Sequence, residues 1–240
     1  MKYDRITMGR FISRPNRFIA KVEVNGREET VHVKNTGRCR ELLVTGCEVY
    51  LSESDNPDRK TRYDLIAVLK NGTLLINMDS QAPNHAVKEW LLSGGIFGIG
   101  ADVRSEVRYG GSRFDFYVEK DGKRAFIEVK GVTLENGGIA MFPDAPTERG
   151  VKHIRELMKC IDDGYEAYLL FVVQMKGVRE VRPNYATHRE FGEALKEAAA
   201  KSVKIMAVDC IVTPDSISID APVRVELCEE YLHIIPIDLK

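Results

Sequence analysis

Nowhere in this chain do about 20 apolar residues follow one another, the length a helix needs to cross a bilayer. The first residues, Met1-Lys2-Tyr3-Asp4-Arg5, carry no apolar leader. Neither sign of charge is in excess: 35 Lys plus Arg stand against 36 Asp plus Glu, a formal net charge of -1 over 240 residues. That balance excludes binding to nucleic acid by bulk positive charge alone, though not a local basic surface. Cysteine is scarce and unpatterned. Cys39, Cys47, Cys160, Cys210 and Cys228 are odd in number and form no CxxC pair, so neither a zinc site nor a redox pair is signalled. They read as reduced, small core residues of a cytoplasmic protein. What is present is an ordinary globular composition, 44% hydrophobic and 30% charged, long enough for one large domain or two smaller ones.

The charge is unevenly divided. Residues 1–80 hold 14 basic and 11 acidic side chains, and within residues 1–40 the count is ten against four. Residues 81–240 hold 21 basic and 25 acidic side chains. The rhythm of the chain changes at the same place. Residues 18–24 and 29–33 alternate apolar and polar around Asn25-Gly26, a hairpin signal. Residues 47–51, 63–69 and 73–77 are further strands, and a short helix is expected over 40–44. Five short strands in about 80 residues predict a small barrel of the oligonucleotide-binding (OB) type. Beyond residue 80, a helix over 83–92 precedes strands over 103–109, 113–119 and 123–130. A helix over 147–163, a continuous apolar run over 165–173, a helix over 187–201 and a strand over 203–212 then predict a mixed α/β domain.

The chemistry is carried by the hairpin Arg113-Phe114-Asp115-Phe116-Tyr117-Val118, turning at Asp121-Gly122 and returning through Ile127-Glu128-Val129-Lys130. With that turn, Asp115 lies across from Glu128 and Arg113 across from Lys130, all four on one face. Phe114, Phe116 and Val118 then share the other, apolar face with Val129, Ile127 and Ala125. Like charges directly opposed are destabilising. Two facing carboxylates therefore call for a cation, and a hard divalent ion, Mg²⁺ or Mn²⁺, suits their oxygens. Lys130 would orient or deprotonate a water, or balance the charge of a phosphate. The set suits phosphodiester hydrolysis. The plainer alternative is a solvated hairpin face whose cations neutralise its anions without a metal.

Asp, then Glu-x-Lys on the adjacent strand, followed by a helix and a buried strand, resembles the PD-(D/E)xK nuclease superfamily. Ile127-Glu128-Val129-Lys130-Gly131-Val132-Thr133-Leu134 and Phe142 to His153, with Arg14-Pro15-Asn16-Arg17-Phe18, Asn35-Thr36-Gly37-Arg38 and Ser112-Arg113-Phe114-Asp115, resemble the sugar fermentation stimulation protein A family over essentially the whole chain. The resemblance implies an OB-like barrel over residues 1–80 and a restriction-endonuclease-like α/β domain with a mixed central sheet over 81–240. It also implies DNA binding with a nuclease or regulatory role. Asp115, Glu128 and Lys130 inherit the catalytic positions. Phe114 stands where the superfamily motif often has proline, a mild departure. Related folds often add an acidic ligand from the first helix of this domain, which makes Glu89 a third candidate metal ligand, with Glu106 as a substitute.

Glu148, Arg149, Lys152 and His153 open the long helix, whose N-terminus favours phosphate. Arg149 and His153, with Arg113, are candidate substrate contacts, and Gln174 ends the next strand near the same site. In the barrel, Arg10-Phe11, Arg14, Arg17-Phe18 and Arg38-Cys39-Arg40 interleave guanidinium groups with aromatics, a combination that holds single strands. Arg14, Arg17 and Arg38 are the candidate nucleic-acid contacts there, although Phe18 reads as core. Asn35 to Arg38 reads as a turn whose N–H groups could hold a phosphate. The leading expectation is a DNA-binding protein with a Mg²⁺-dependent nuclease-type site, its oligomeric state open, a homodimer included. The rivals are a DNA-binding regulator of sugar metabolism that no longer cleaves, and a hydrolase of another phosphate-containing substrate.

Overall fold

A computed structural model describes residues 1–35, 37–56 and 58–229. The N-terminal part is a closed five-stranded barrel. β1 (Ile6–Asn16), β2 (Ile19–Val24), β3 (Arg27–Val33), β4 (Glu48–Glu53) and β5 (Tyr63–Lys70) join in the order β1-β2-β3-β5-β4 and back to β1. Closure depends on one short parallel pairing, His32 with Asp64 and Val33 with Leu65. β6 (Leu74–Asn77) only extends β5, through the Asn71-Gly72 turn in which both residues take positive φ.

The strands expected from the sequence therefore include one outside the barrel and miss β1. Its pattern is broken for a physical reason. A Cβ on Gly9 would lie 2.5 Å from the Val22 side chain, and the register against β2 shifts twice between Phe11 and Asn16. Such bulges destroy the period of two. The helix expected over 40–44 is instead a turn, with the Leu42 and Leu43 N–H groups both donating to the Cys39 carbonyl. Phe18, expected in the core, is 45% exposed, whereas Phe11 is buried. Among the cysteines, Cys39, Cys160 and Cys210 are buried as expected, but Cys228 is exposed; all five are free thiols.

The second part is a nine-stranded mixed sheet. β7 (Asp102–Tyr109), β8 (Ser112–Lys120) and β9 (Lys123–Val132) form an antiparallel meander at one edge. β12 (Glu166–Val173) and β14 (Lys204–Thr213) run parallel to β9 in the centre. β15 (Ser216–Val225), β13 (Glu180–Pro183), β11 (Ile139–Phe142) and β10 (Leu134–Asn136) complete the order. α1 (Ala82–Leu92) covers the face bearing Ile127, Val129 and Leu170. α2 (Glu148–Asp162) and α3 (Arg189–Ala200) cover the face bearing Phe126, Leu169 and Phe171. β12 is thus buried on both faces from Ala167 onward, which is why it is apolar there. Among the described residues no helix is long and apolar enough to cross a membrane.

The two parts are tied by buried polar contacts. Asp79, fully buried between β6 and α1, accepts from Lys34 Nζ at 2.5 Å and from the Gln81 N–H at 2.9 Å. Gln174 Nε2 donates to the Asn77 carbonyl, the Asn77 side chain and the Asp79 carbonyl, each at 3.0 Å. Lys70 of β5 pairs with Glu135 of β10 at 2.5 Å. These bonds hold the barrel against the carboxyl ends of β9 and β12, where open α/β sheets place ligands.

Candidate active site

The β8–β9 turn lies where the sequence places it: Lys120 faces Lys123, Val118 faces Ala125 and Phe116 faces Ile127. There the ladder ends, one pair short of Asp115 and Glu128. Phe114 leaves the face of Phe116 and packs on the α2 side, its ring 5.4 Å from Phe126 and 6.1 Å from His153. This change of face corrects the expectation of one apolar stripe. It also frees Asp115 from the ladder, so its carboxylate turns into the sheet. Oδ2 accepts from the Val129 N–H at 2.7 Å, and Oδ1 accepts from Asn84 Nδ2 at 2.8 Å. Asp115 and Glu128 are therefore brought together, not as an opposed pair but through the backbone next to Glu128.

Glu128 is 3% exposed. Its Oε1 accepts from Lys130 Nζ and from His153 Nδ1, each at 2.5 Å. Its Oε2 is buried and has no hydrogen-bond partner among the described residues. Burial and the nearby Glu128 charge push the Asp115 carboxyl above the usual aspartate range. Burial acts in the same direction on Glu128, but the hydrogen bond from His153 and the hydrogen bond and charge of Lys130 outweigh it and hold Glu128 below the usual range. Two carboxylates whose environments separate their ionisation are a common mark of a reactive site. The donor set also fits a hard divalent cation. The unpartnered Oε2 and the second lone pairs of the Asp115 oxygens supply the anionic oxygen such an ion takes.

That cleft, about 120 Å³, opens at the ends of β9 and β12 and is lined by Asn35 and Ser80 from the barrel side and by Gly131, Thr133, Asp144 and Gln174. Gly131 is required by close approach. A Cβ there would lie 2.6 Å from Gln174 Oε1 and 2.8 Å from Pro83 of α1. Gly131→Val is expected to push α1 and its Asn84 away from Asp115 and to lower stability by about 1–3 kcal/mol. Urea denaturation checks the stability; an unchanged midpoint would contradict this packing.

The remaining candidates divide. Glu89 is not at the site: its carboxylate is 62% exposed and pairs with the Met1 amine. α1 contributes Asn84 in its place, a residue the sequence did not single out because a first-turn asparagine looks like a solvated helix start. Glu106 pairs with Arg113 at 2.7 Å on the exposed meander, and the ladder does not carry Arg113 to Lys130. Arg149 Nε donates to His153 Nε2 at 3.4 Å, which places both within the site's hydrogen-bond chain. Gln174 lines the cleft but spends its amide on Asn77 and Asp79.

Arg14 is not presented to a ligand. Its guanidinium donates to the carbonyls of Arg17, Asn35, Gly37 and Arg38 at 2.7–2.9 Å. The turn it holds is no vacant phosphate nest either: the Gly37 N–H donates to Asn35 Oδ1 and the Arg38 N–H to Asp144 Oδ2. Thr36 of that turn lies outside the described residues. Arg17 and Arg38 do present exposed side chains, and Arg17 stacks over the exposed Phe18 ring at 4.9 Å. Elsewhere, Glu148, His188 and Glu190 gather at the N-termini of α2 and α3. His188 Nδ1 accepts from the Thr147 N–H at 3.3 Å, which leaves the ring hydrogen on Nε2, facing Glu148. That ring offers no lone pair to a metal.

The chain is 58% identical over 219 residues to a sugar fermentation stimulation protein homolog of Clostridium beijerinckii, covering 91% of this chain and 96% of that one. The homolog of Ruminiclostridium cellulolyticum is also 58% identical, over 227 residues, 95% of this chain and all of that one. A solved structure, described as Pyrococcus furiosus SfsA in complex with Ca²⁺, is 29% identical and superposes with a TM-score of 0.82, covering 94% of this chain and 98% of that one. Residues 12–78 match the SfsA N-terminal OB domain and residues 81–216 the sugar fermentation stimulation protein RE domain. With both domains matched and relatives aligned along almost their full lengths, the chain belongs to the sugar fermentation stimulation protein family.

Proposed function

We propose that the protein is a divalent-metal-dependent phosphodiesterase of nuclease type that acts on DNA. The observation that carries this reading is the buried Glu128 carboxylate, with Lys130 on its Oε1, Asp115 bonded to the neighbouring Val129 N–H, and an Oε2 that has no partner among the described residues. A binding module has no need to bury acidic oxygen next to a polyanion. The arrangement follows the PD-(D/E)xK pattern, and the Pyrococcus furiosus relative is described in complex with Ca²⁺. Asp115 and Glu128 would hold the ion, which when bound polarises a phosphoryl oxygen and lowers the pKa of water. Asn84 and the Val129 N–H keep Asp115 aimed. Lys130, fixed on Glu128 Oε1, presents its other ammonium hydrogens to a phosphate oxygen or a water. On the barrel, the Arg17–Phe18 pair and Arg38 offer stacking and charge for the strand.

Purified protein incubated with single- and double-stranded DNA and RNA, in Mg²⁺, Mn²⁺ or chelator, tests the reading. Metal-dependent cleavage of DNA supports it. DNA binding without cleavage in any metal would favour the regulator instead.

The pH dependence has a definite sign. A metal ligand must be deprotonated, and the raised Asp115 carboxyl keeps its proton to a higher pH than an ordinary aspartate does. Ca²⁺ affinity is therefore expected to fall as pH drops through the range just above the ordinary aspartate value, while Glu128 stays ionised. In the metal-free protein the two groups act oppositely. Asp115 contributes stability at pH values below its unfolded pKa and loses it as pH rises through its folded one. Glu128 contributes above its unfolded pKa and loses it as pH falls through its folded one. Asp115→Asn should abolish Ca²⁺ binding and raise metal-free stability at neutral pH, where the buried charge is lost. Calorimetry at several pH values checks the first point and thermal unfolding the second.

A further inference from the structure

We propose that His153 is a positioning residue: its Nδ1–H locks Glu128 with Oε2 turned to the metal, and Arg149 holds the far nitrogen of the ring. The inference rests on the metal-site reading above and adds a group that the nuclease pattern does not contain.

A guanidinium Nε–H can only donate, so the Arg149 contact makes His153 Nε2 the acceptor, long as that bond is at 3.4 Å. The ring hydrogen then belongs on Nδ1. From there it points at Glu128 Oε1, 2.5 Å away. Lys130 occupies the same oxygen from the other side. Oε1 is therefore saturated by two donors, and the carboxylate cannot exchange its oxygens without breaking both bonds. Oε2 is left as the buried atom with no partner. Such an arrangement aims one oxygen by immobilising the other, as outer-shell groups do for metal ligands.

The ring itself is held in place. His153 is 5% exposed, sits on the second turn of α2, and meets the Phe114 ring edge-on at 6.1 Å. Phe114 reaches it only because β8 changes face there. Both imidazole nitrogens are thus occupied, one donating and one accepting. No lone pair remains for a water, which separates this role from that of a general base. Arg149, exposed at the start of α2, donates to the ring through its Nε.

The test uses the full chain and Ca²⁺ alone, so it does not depend on turnover. Imidazole nitrogen chemical shifts of the metal-free wild type should report hydrogen on Nδ1 of His153. Arg149→Ala should leave that hydrogen in place, because the Glu128 carboxylate facing Nδ1 can only accept. By calorimetry, His153→Leu is expected to weaken Ca²⁺ binding about 10–100-fold. His153→Asn, whose amide nitrogen stands near the Nδ1 position, should restore affinity to within about threefold of wild type, the span left when the outer-shell donor is kept. DNA cleavage should fall and recover in the same order. Three results would overturn the proposal: hydrogen on Nε2 in the wild type, Leu and Asn variants with equal affinity, or wild-type affinity in a folded Leu variant. If the Leu variant does not fold, the wild-type tautomer and the Asn variant decide. Failure of the wild type to bind Ca²⁺ at all would instead remove the metal site, and this role with it.

Discussion

Glu128→Gln is expected to leave the protein folded and to lower metal-dependent DNA cleavage by about a thousandfold or more. The substitution keeps the volume and one carbonyl oxygen for Lys130 and His153, but removes the charge from the oxygen aimed at the metal. A single preorganised electrostatic contact of this kind is worth about 10²–10³ in rate, and loss of the ion itself costs more. The amide nitrogen would be buried where Oε2 now lies, at about 1–3 kcal/mol. Glu128→Ala is predicted to be far worse for stability. It strips Lys130 and His153 of their shared acceptor, and breaking a buried charged pair costs about 3–5 kcal/mol. Lys130→Ala should reduce cleavage by about 10²–10³ while weakening Ca²⁺ binding less than Glu128→Gln does. Initial rates on labelled DNA, with Ca²⁺ calorimetry alongside, check the series. Cleavage by Glu128→Gln at the wild-type rate would place the chemistry elsewhere.

Arg14→Ala is expected to cost about 2–4 kcal/mol of stability. Hydrogen bonds from a charged donor contribute about 1.5–3 kcal/mol each, and here four carbonyls share one guanidinium. Two of the four sit where water can replace the donor, so the sum is not reached. Arg14→Lys should recover less than half, because an ammonium cannot span four acceptors with a planar fork. Any loss of DNA affinity in these variants would come from the displaced 35–38 turn. Salt dependence separates the two origins. Removing a phosphate contact lowers the slope of log K against log salt by about 0.9 for duplex DNA. Arg17→Ala and Arg38→Ala should show that reduction, and Arg14→Ala should not. A reduced slope for Arg14→Ala would restore it as a DNA contact.

The contrast between Arg14 and Arg17 shows where sequence reasoning stops. Both lie in one basic stretch, and nothing local distinguishes them. Arg14 is consumed by carbonyls, three of them brought to it from Asn35, Gly37 and Arg38, while the Arg17 guanidinium stacks on its neighbour Phe18. Glu89 and Asn84 differ in the same way. Both are polar residues of one helix, and only the docking angle of α1 decides which reaches Asp115. The hairpin register was legible because Asp121-Gly122 fixes a two-residue turn and pairing propagates from it. The propagation failed at Asp115, where β8 yields to the packing of Phe114 against α2.

The amino-acid order alone determined the elements with a clean period or a strong stop: the long amphipathic α2, the doubly buried β12, the Asp-Gly hairpin, and the presence of Asp115, Glu128 and Lys130 on neighbouring strands. Those depend on interactions within a few residues. Tertiary structure decided the rest: barrel closure through His32 and Val33, the bulged β1, the partner of each cation, and the oxygen of Glu128 left without one. These were settled by contacts between segments far apart in the chain, and no local pattern records which distant group will arrive to satisfy a donor or an acceptor.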